Sequence, residues 1–371
     1  NDTHSIPVPS KLIFSNLIPD KTFLIDDGKL VFKILKVFDE NFEAEIINSG
    51  MLKSKKGINF PNLDFNISPL TEKDKKDLHF IKEQKLDYIA LSFVQKTTDV
   101  LELRSLISPD MKIISKIEKP QALKDIDNII RASDAVMIAR GDLAIDIGHS
   151  EVPKVQLSLI KKCSQFSKSV IVATQMLESM IENNTATRAE INDIATAIFQ
   201  GADTVMLSAE AAIGKFPTQA VSTMTQTILS TEKYKRQHIE DFKNSIISNK
   251  DPVKSILLSV KDIAYNPDVK AIIVFSNSGK SAKLVSAMRP AAKIVTISPN
   301  INVCRQVSLL WGVQSINSRD ANGWKDMMSI SREIIKKLKF IKKNDFVIIT
   351  AGLPFGKAGM TNMIRLYKVG S

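Results

Sequence analysis

The stretch MKIISKIEKPQALKDIDNIIRASDAVMIARGD, residues 111–142, holds a strand, a helical segment and a second strand in one reading. Its first apolar run ends in Ser115-Lys116-Ile117-Glu118, and its second ends in Arg140-Gly141-Asp142. Side chains alternate along an extended chain, so Lys116 and Glu118 share a face and Ile117 takes the other. Runs this apolar read as strands buried on both sides. Their alternation with helical text predicts a parallel sheet joined by right-handed crossovers.

The same unit recurs on either side, as DYIALSF (87–93), SVIVATQ (169–175) and DTVMLSAE (203–210). Each run carries polar residues at its C-terminal end: Ser92, Thr174 with Gln175, Ser208 with Glu210. In a (β/α)8 barrel that edge is where chemistry sits. Upstream, Ser68 followed by Pro69 reads as an N-cap and first helical position. Before Pro61 the text is short and strand-like, and turns at Asp27-Gly28 and Ser49-Gly50 predict hairpins of a small β module. Downstream, a charged helical bridge (~225–265) leads to a second α/β unit running from KAIIVF through KIVTISP, WGVQSI, a helix around 324–340, DFVIITAG and IRLYKVG.

At 371 residues, 44% apolar and 25% charged, the chain reads as a soluble globular protein of two or three domains. The net charge of +11 comes from scattered lysines that outnumber arginines about four to one. No basic run is interleaved with aromatics, so nucleic acid is not expected as a partner, and anionic small molecules are. Cys163 and Cys304 lie far apart, and His4, His79, His149 and His238 form no spaced pair, which argues against a disulfide framework and a zinc site. No apolar run reaches the ~20 residues of a membrane span, and the opening NDTHSIPVPS lacks a signal pattern, so a cytoplasmic location is expected. A start at Asn1 reads as a processed chain or a fragment.

Lys116 with Glu118 read alone is a strand-end ion pair of little worth. In company the reading changes. Glu118 and Asp142, two carboxylates without histidine or cysteine, suit a hard divalent ion such as Mg2+. Gly141 lets backbone N–H groups approach an anion closely, and Thr174 adds a hydroxyl to the same edge. Lysine, metal and anion nest together describe a site for a phosphorylated carboxylic acid. A second phosphate cradle is legible in Ser276-Asn277-Ser278-Gly279-Lys280-Ser281, which follows a strand and opens a helix; a plain serine-rich cap is the alternative.

The strings ISKIE, VMIARGDLAIDI, VIVATQMLESM, TRAEINDIATAIFQGADTVMLSAEAA and TAGLPFGKAGMTNMIRLYKVG resemble pyruvate kinases, in order and across essentially the whole chain. The resemblance implies phosphoryl transfer between phosphoenolpyruvate and ADP, giving pyruvate and ATP. It assigns Lys116 to the transferring phosphoryl and enolate oxygen, and Glu118 and Asp142 to Mg2+ or Mn2+. Gly141, Asp142 and Thr174 fall to the substrate carboxylate, Ser208 and Glu210 to protonation of the enolate, and Lys56 in SKKGIN to nucleotide phosphates. It places a sugar-phosphate or AMP effector at Ser276–Ser281 and a homotetramer contact at Arg188. On this reading Lys116 and Glu118 serve ligands, not each other.

Two departures from the family pattern are visible. MLSAEAA carries Ala209 and Ala211 where glycine and threonine are usual, and GDLAID carries Ala144 in place of glycine. The family's first three barrel strands, with substrate arginines and K+ ligands, have no counterpart before Asn1. The expected architecture is therefore α/β: a partial (β/α)8 TIM barrel of strands 4–8 (65–228), the remnant of a small β-barrel lid (1–64) and a C-terminal α/β regulatory domain (229–371). The chain by itself is expected to be inactive. The rivals are a metal-dependent aldolase or lyase on a related barrel, which would lack SKKGIN and the C-terminal domain, and a non-catalytic phosphometabolite sensor.

Overall fold

The computed structural model of the chain describes residues 5–6, 8, 16–26, 28–54, 56–61, 68–238, 252–352 and 361–371. Within these the strands form three sheets. Asp27, from the first expected turn, and the whole LPFGKAGM string (353–360) lie outside the described residues.

The first sheet is antiparallel, in the order β3-β2-β1-β4, with β1 at Thr22–Ile25, β2 at Leu30–Val37, β3 at Phe42–Ile46 and β4 at Ile58–Asn59. Alternation sends Phe23, Ile25, Leu30, Phe32 and Ile34 to one side, where Phe23 stacks on Phe32 with ring centroids 4.9 Å apart. β1 and β2 pair antiparallel with Ile25 opposite Leu30, and Lys29 N–H reaches the Asp26 carbonyl. Ser49-Gly50 closes no hairpin, because β4 returns to pair with β1, Leu24 opposite Asn59. The other hairpin turns at Asp39-Glu40, where Phe38 N–H reaches the Asn41 carbonyl.

The second sheet is parallel and runs β5-β6-β7-β8-β9: Tyr88–Leu91, Lys112–Ile117, Ala135–Ala139, Ser169–Ala173 and Thr204–Val205. Every residue of β7 and β8 is buried, while β5 and β9 are mostly half-buried. Central strands packed on both faces need apolar residues at every position, which is why the period-two signal disappears there. One face packs Ile113, Ile117, Val136, Ile138 and Val172 against the helices. The other gathers Ile114, Met137 and Ile171 with Leu309 from the C-terminal unit. Burying each such side chain contributes about 1.5–3 kcal/mol. Among the described residues, β5 and β9 each pair on one side.

The helix before β5 spans Glu72–Glu83 and starts three residues later than expected. Thr71 caps it and Asp74 reaches back to the Thr71 N–H, a reciprocal capping box. Ser68 instead accepts from Leu70 N–H, two residues on.

The third sheet has the order β12-β11-β10-β13-β14: Val269–Phe275 (β10), Lys293–Ser298 (β11), Val313–Asn317 (β12), Phe346–Ala351 (β13) and Met363–Lys368 (β14). All neighbours are parallel except β14, which runs antiparallel to β13. The helix Trp324–Lys337 lays Met327, Ile330, Ile334 and Ile335 on one face of this sheet.

Candidate active site

The C-terminal edge of the second sheet collects most of the residues singled out in the sequence. The Lys116 ammonium, near the end of β6, lies 2.6 Å from Glu118 Oε1 and donates to Ser92 Oγ at 2.9 Å. Glu118 is only 1% exposed, and its second oxygen accepts the Phe93 N–H at 2.7 Å. The two charges that were assigned to ligands are thus in contact with each other here. A carboxylate this deep needs a countercharge, and Lys116 is the cation that reaches it.

On the next strand, β7 runs straight into the helix Arg140–Ile147, whose first turn carries Gly141 and Asp142. The Gly141 N–H donates to Thr174 Oγ1 at 2.8 Å, and the same hydroxyl donates to the Ala173 carbonyl at 2.6 Å. A Cβ on residue 141 would sit 3.5 Å from that hydroxyl, in ordinary contact with it. Asp142 is half-buried, and no hydrogen bond or ion pair engages its carboxylate among the described residues. Ala144, the departure in the following turn, is buried in the packing.

Arg140 was not assigned a role from sequence, yet it organises this corner. Its guanidinium pairs with Asp193 at 2.5 Å and donates to the Thr174 carbonyl at 2.7 Å and the Gln175 carbonyl at 3.1 Å. Thr174 and Gln175 have φ of 69° and 53°, a left-handed conformation rare for such residues. The buried guanidinium, collecting both carbonyls, holds them there. A sequence signal did exist, an arginine in a strand-to-helix turn, but its partner Asp193 lies on a helix far along the chain.

Glu210 is buried and accepts two backbone N–H groups, from Leu177 at 3.1 Å and Ser208 at 2.8 Å. It knits the end of β8 to the end of β9. Ser208 itself is exposed at the start of the short helix Ala209–Ala212.

The remaining expected site residues lie elsewhere. Lys56 pairs with Asp26 at 2.7 Å at the edge of the first sheet, just outside β4 and β1, and its ammonium holds that carboxyl below the usual aspartate range. Arg188 is exposed at the start of the helix Arg188–Gln200, whose cap is Thr187 with Glu190. In the loop after β10, Ser276 is buried, Asn277, Ser278 and Lys280 are exposed, and Ser281 Oγ lies 2.6 Å from Thr361 Oγ1. Gly279 has φ +77°, and a Cβ there would come within 2.9 Å of Val307. The turn therefore needs glycine whatever it binds.

Among the described residues no group of three or more His, Cys, Asp or Glu is arranged to hold a metal. Glu118 and Asp142, on adjacent strand ends, remain a pair of hard oxygen donors, a set that fits a divalent ion completing its shell with substrate oxygens and water. No described helix is long and apolar enough to cross a membrane.

Charged groups gathered at the C-terminal edge of a parallel α/β sheet, with a second α/β unit behind it, are the arrangement of a barrel-type enzyme. Family models give it a name: the pyruvate kinase barrel domain matches residues 1–221 and the pyruvate kinase alpha/beta domain matches 254–367. A pyruvate kinase of Agrobacterium vitis is 39% identical over 368 residues, which cover 99% of this chain and 76% of that protein. One from Geobacillus stearothermophilus is 38% identical over 373 residues, covering 98% of this chain and 64% of the relative. The crystal structure of a pyruvate kinase from Cryptosporidium parvum superposes with a TM-score of 0.87 at 30% identity, over 96% of this chain and 74% of that one. The chain belongs to the pyruvate kinase family.

Proposed function

We propose that this chain carries out the pyruvate kinase reaction, moving a phosphoryl group from phosphoenolpyruvate to ADP. The observation that supports it most is the Lys116 ammonium, fixed between Ser92 and buried Glu118, one strand away from the Gly141-Asp142 turn. Phosphoryl transfer asks for positioning and charge neutralisation more than covalent chemistry, and these residues offer both.

A Mg2+ or Mn2+ ion held by Glu118 and Asp142 would neutralise charge on the phosphoryl and enolate oxygens. Lys116 meets the same oxygens from another side. The Gly141 and Asp142 N–H groups, at a helix start, receive the substrate carboxylate, which takes over the N–H now bonded to Thr174 and meets the Thr174 hydroxyl. Glu210 is committed to backbone N–H groups, so the exposed Ser208 hydroxyl is the group of that pair free to hold the water that delivers a proton to the enolate.

The family reading extends further. Lys56 leaves Asp26 to meet nucleotide phosphates, Arg188 faces a second copy in a homotetramer, and Ser276–Ser281 receive a sugar phosphate or AMP. K+ assists at a site outside the residues named here, the enzyme is cytoplasmic, and the three units divide at 1–64, 65–228 and 229–371.

A coupled assay for pyruvate on the protein expressed from its complete reading frame tests the reading. Turnover requiring phosphoenolpyruvate, ADP and Mg2+ is expected. No turnover, or pyruvate released from oxaloacetate instead, overturns it.

A further inference from the structure

We infer that Ser92 is a positioning residue: its hydroxyl is the second anchor of Lys116 and keeps that ammonium aimed into the site when Glu118 engages a divalent cation. The inference rests on the function proposed above.

The geometry is unequal in a useful way. Lys116 spreads its donors over two acceptors, Glu118 Oε1 at 2.6 Å and Ser92 Oγ at 2.9 Å. A divalent ion arriving at Glu118 repels the ammonium at close range and competes for the same oxygens. With the carboxylate taken, Ser92 is the acceptor that still holds the lysine. Lacking it, a four-carbon stem with several rotatable bonds has no fixed direction. The lysine would then either wander or stay on Glu118 and oppose the ion.

Ser92 can play this part because its own backbone is held in place. Phe93, the next residue, has φ of 56° and gives its N–H to Glu118 Oε2 at 2.7 Å. Val94 is fully buried, and Asp99 accepts the N–H groups of Gln95 and Lys96 at 2.9 and 3.0 Å. Lys119 lies 5.9 Å from the Phe93 ring centroid and pairs with Asp146 at 2.8 Å. Asp146 belongs to the helix that carries Asp142. One dipeptide, Ser92-Phe93, therefore touches both Lys116 and Glu118 and is braced toward the helix that carries the second carboxylate.

The test uses Ser92→Ala and Ser92→Thr in the protein expressed from its complete reading frame, with Mn2+ alone as the probe. Free Mn2+ is followed by electron paramagnetic resonance, and turnover is measured separately. Ser92→Ala is expected to weaken Mn2+ binding about 3- to 10-fold and to lower kcat by about 10- to 100-fold with a smaller change in KM, at an unchanged melting temperature. Ser92→Thr is expected to restore both. A Ser92→Ala protein with wild-type Mn2+ affinity and kcat, or a Ser92→Thr protein as impaired as Ser92→Ala, overturns the inference and leaves the function standing. A wild-type protein that neither binds Mn2+ nor turns over removes the functional reading and the inference together.

Discussion

Arg289 of the C-terminal unit reaches Asp203, the residue before β9, with Nη2 2.8 Å from Oδ1. The same guanidinium donates to the Gly201 carbonyl at 2.6 Å and lies over the Trp311 ring, while the other Asp203 oxygen accepts the Val170 N–H at 2.8 Å. The pair is largely enclosed, Nη2 is shared between Asp203 and Gly201, and both Asp203 oxygens are engaged, so it is hard to break one member at a time. Arg289→Ala leaves a buried carboxylate without its partner, and a loss of about 3–5 kcal/mol is expected. Arg289→Lys recovers only part, since an ammonium cannot copy the planar stacking on Trp311. Thermal unfolding of both variants against the parent checks the order.

Lys283 stands in the same junction, and burial pushes its ammonium down to about 8 from the ordinary 10.5. It faces Lys168 and Lys112 as well as Asp134 and Asp203, so carboxylates only partly offset the loss of water. The folded state then holds this proton less tightly than the unfolded chain does. Stability contributed by this group rises as pH climbs from about 8 toward 10.5. Lys283→Met is expected to be more stable than the parent at pH 7 by roughly 2–3 kcal/mol, with the gap closing near the unfolded lysine value. Melting temperatures of both proteins at steps between pH 7 and 10.5 test this; a constant gap would contradict it.

Asp142 is open to the site and otherwise unengaged, so Asp142→Asn keeps the shape and removes one charge. With the metal assignment proposed here, kcat falls by about a hundredfold or more, close to 3 kcal/mol of transition-state stabilisation, while the melting temperature stays put. Activity measured across a Mg2+ titration decides it. Near-normal turnover at subsaturating Mg2+ would remove Asp142 from the metal site.

The parallel sheet was legible because β6, β7 and β8 are long apolar runs with nothing else they could be. β9 was overread, since only Thr204–Val205 form a strand, although Met206 N–H still reaches the Val172 carbonyl. Apolar text alone does not say where pairing stops. Ser68 and Ser49-Gly50 misled for a related reason: local turn chemistry is permitted in many places, and tertiary partners choose among them. At the site, residue types at strand ends pointed to Lys116, Glu118, Gly141, Asp142 and Thr174, whose spacing is local. Arg140 with Asp193, and Lys116 with Ser92, join residues from different crossovers, and no periodicity in one segment encodes such a meeting.

Strand β5 has a property that follows from its two ends. At one, the Tyr88 hydroxyl donates to the Gln306 carbonyl at 2.9 Å, beside the Asp87 pair with Arg305 at 2.9 Å. At the other, Ser92 holds the lysine. The four steps between them span roughly 13 Å of extended backbone. One continuous strand thus carries both the contact with the C-terminal unit and the hydroxyl that holds Lys116.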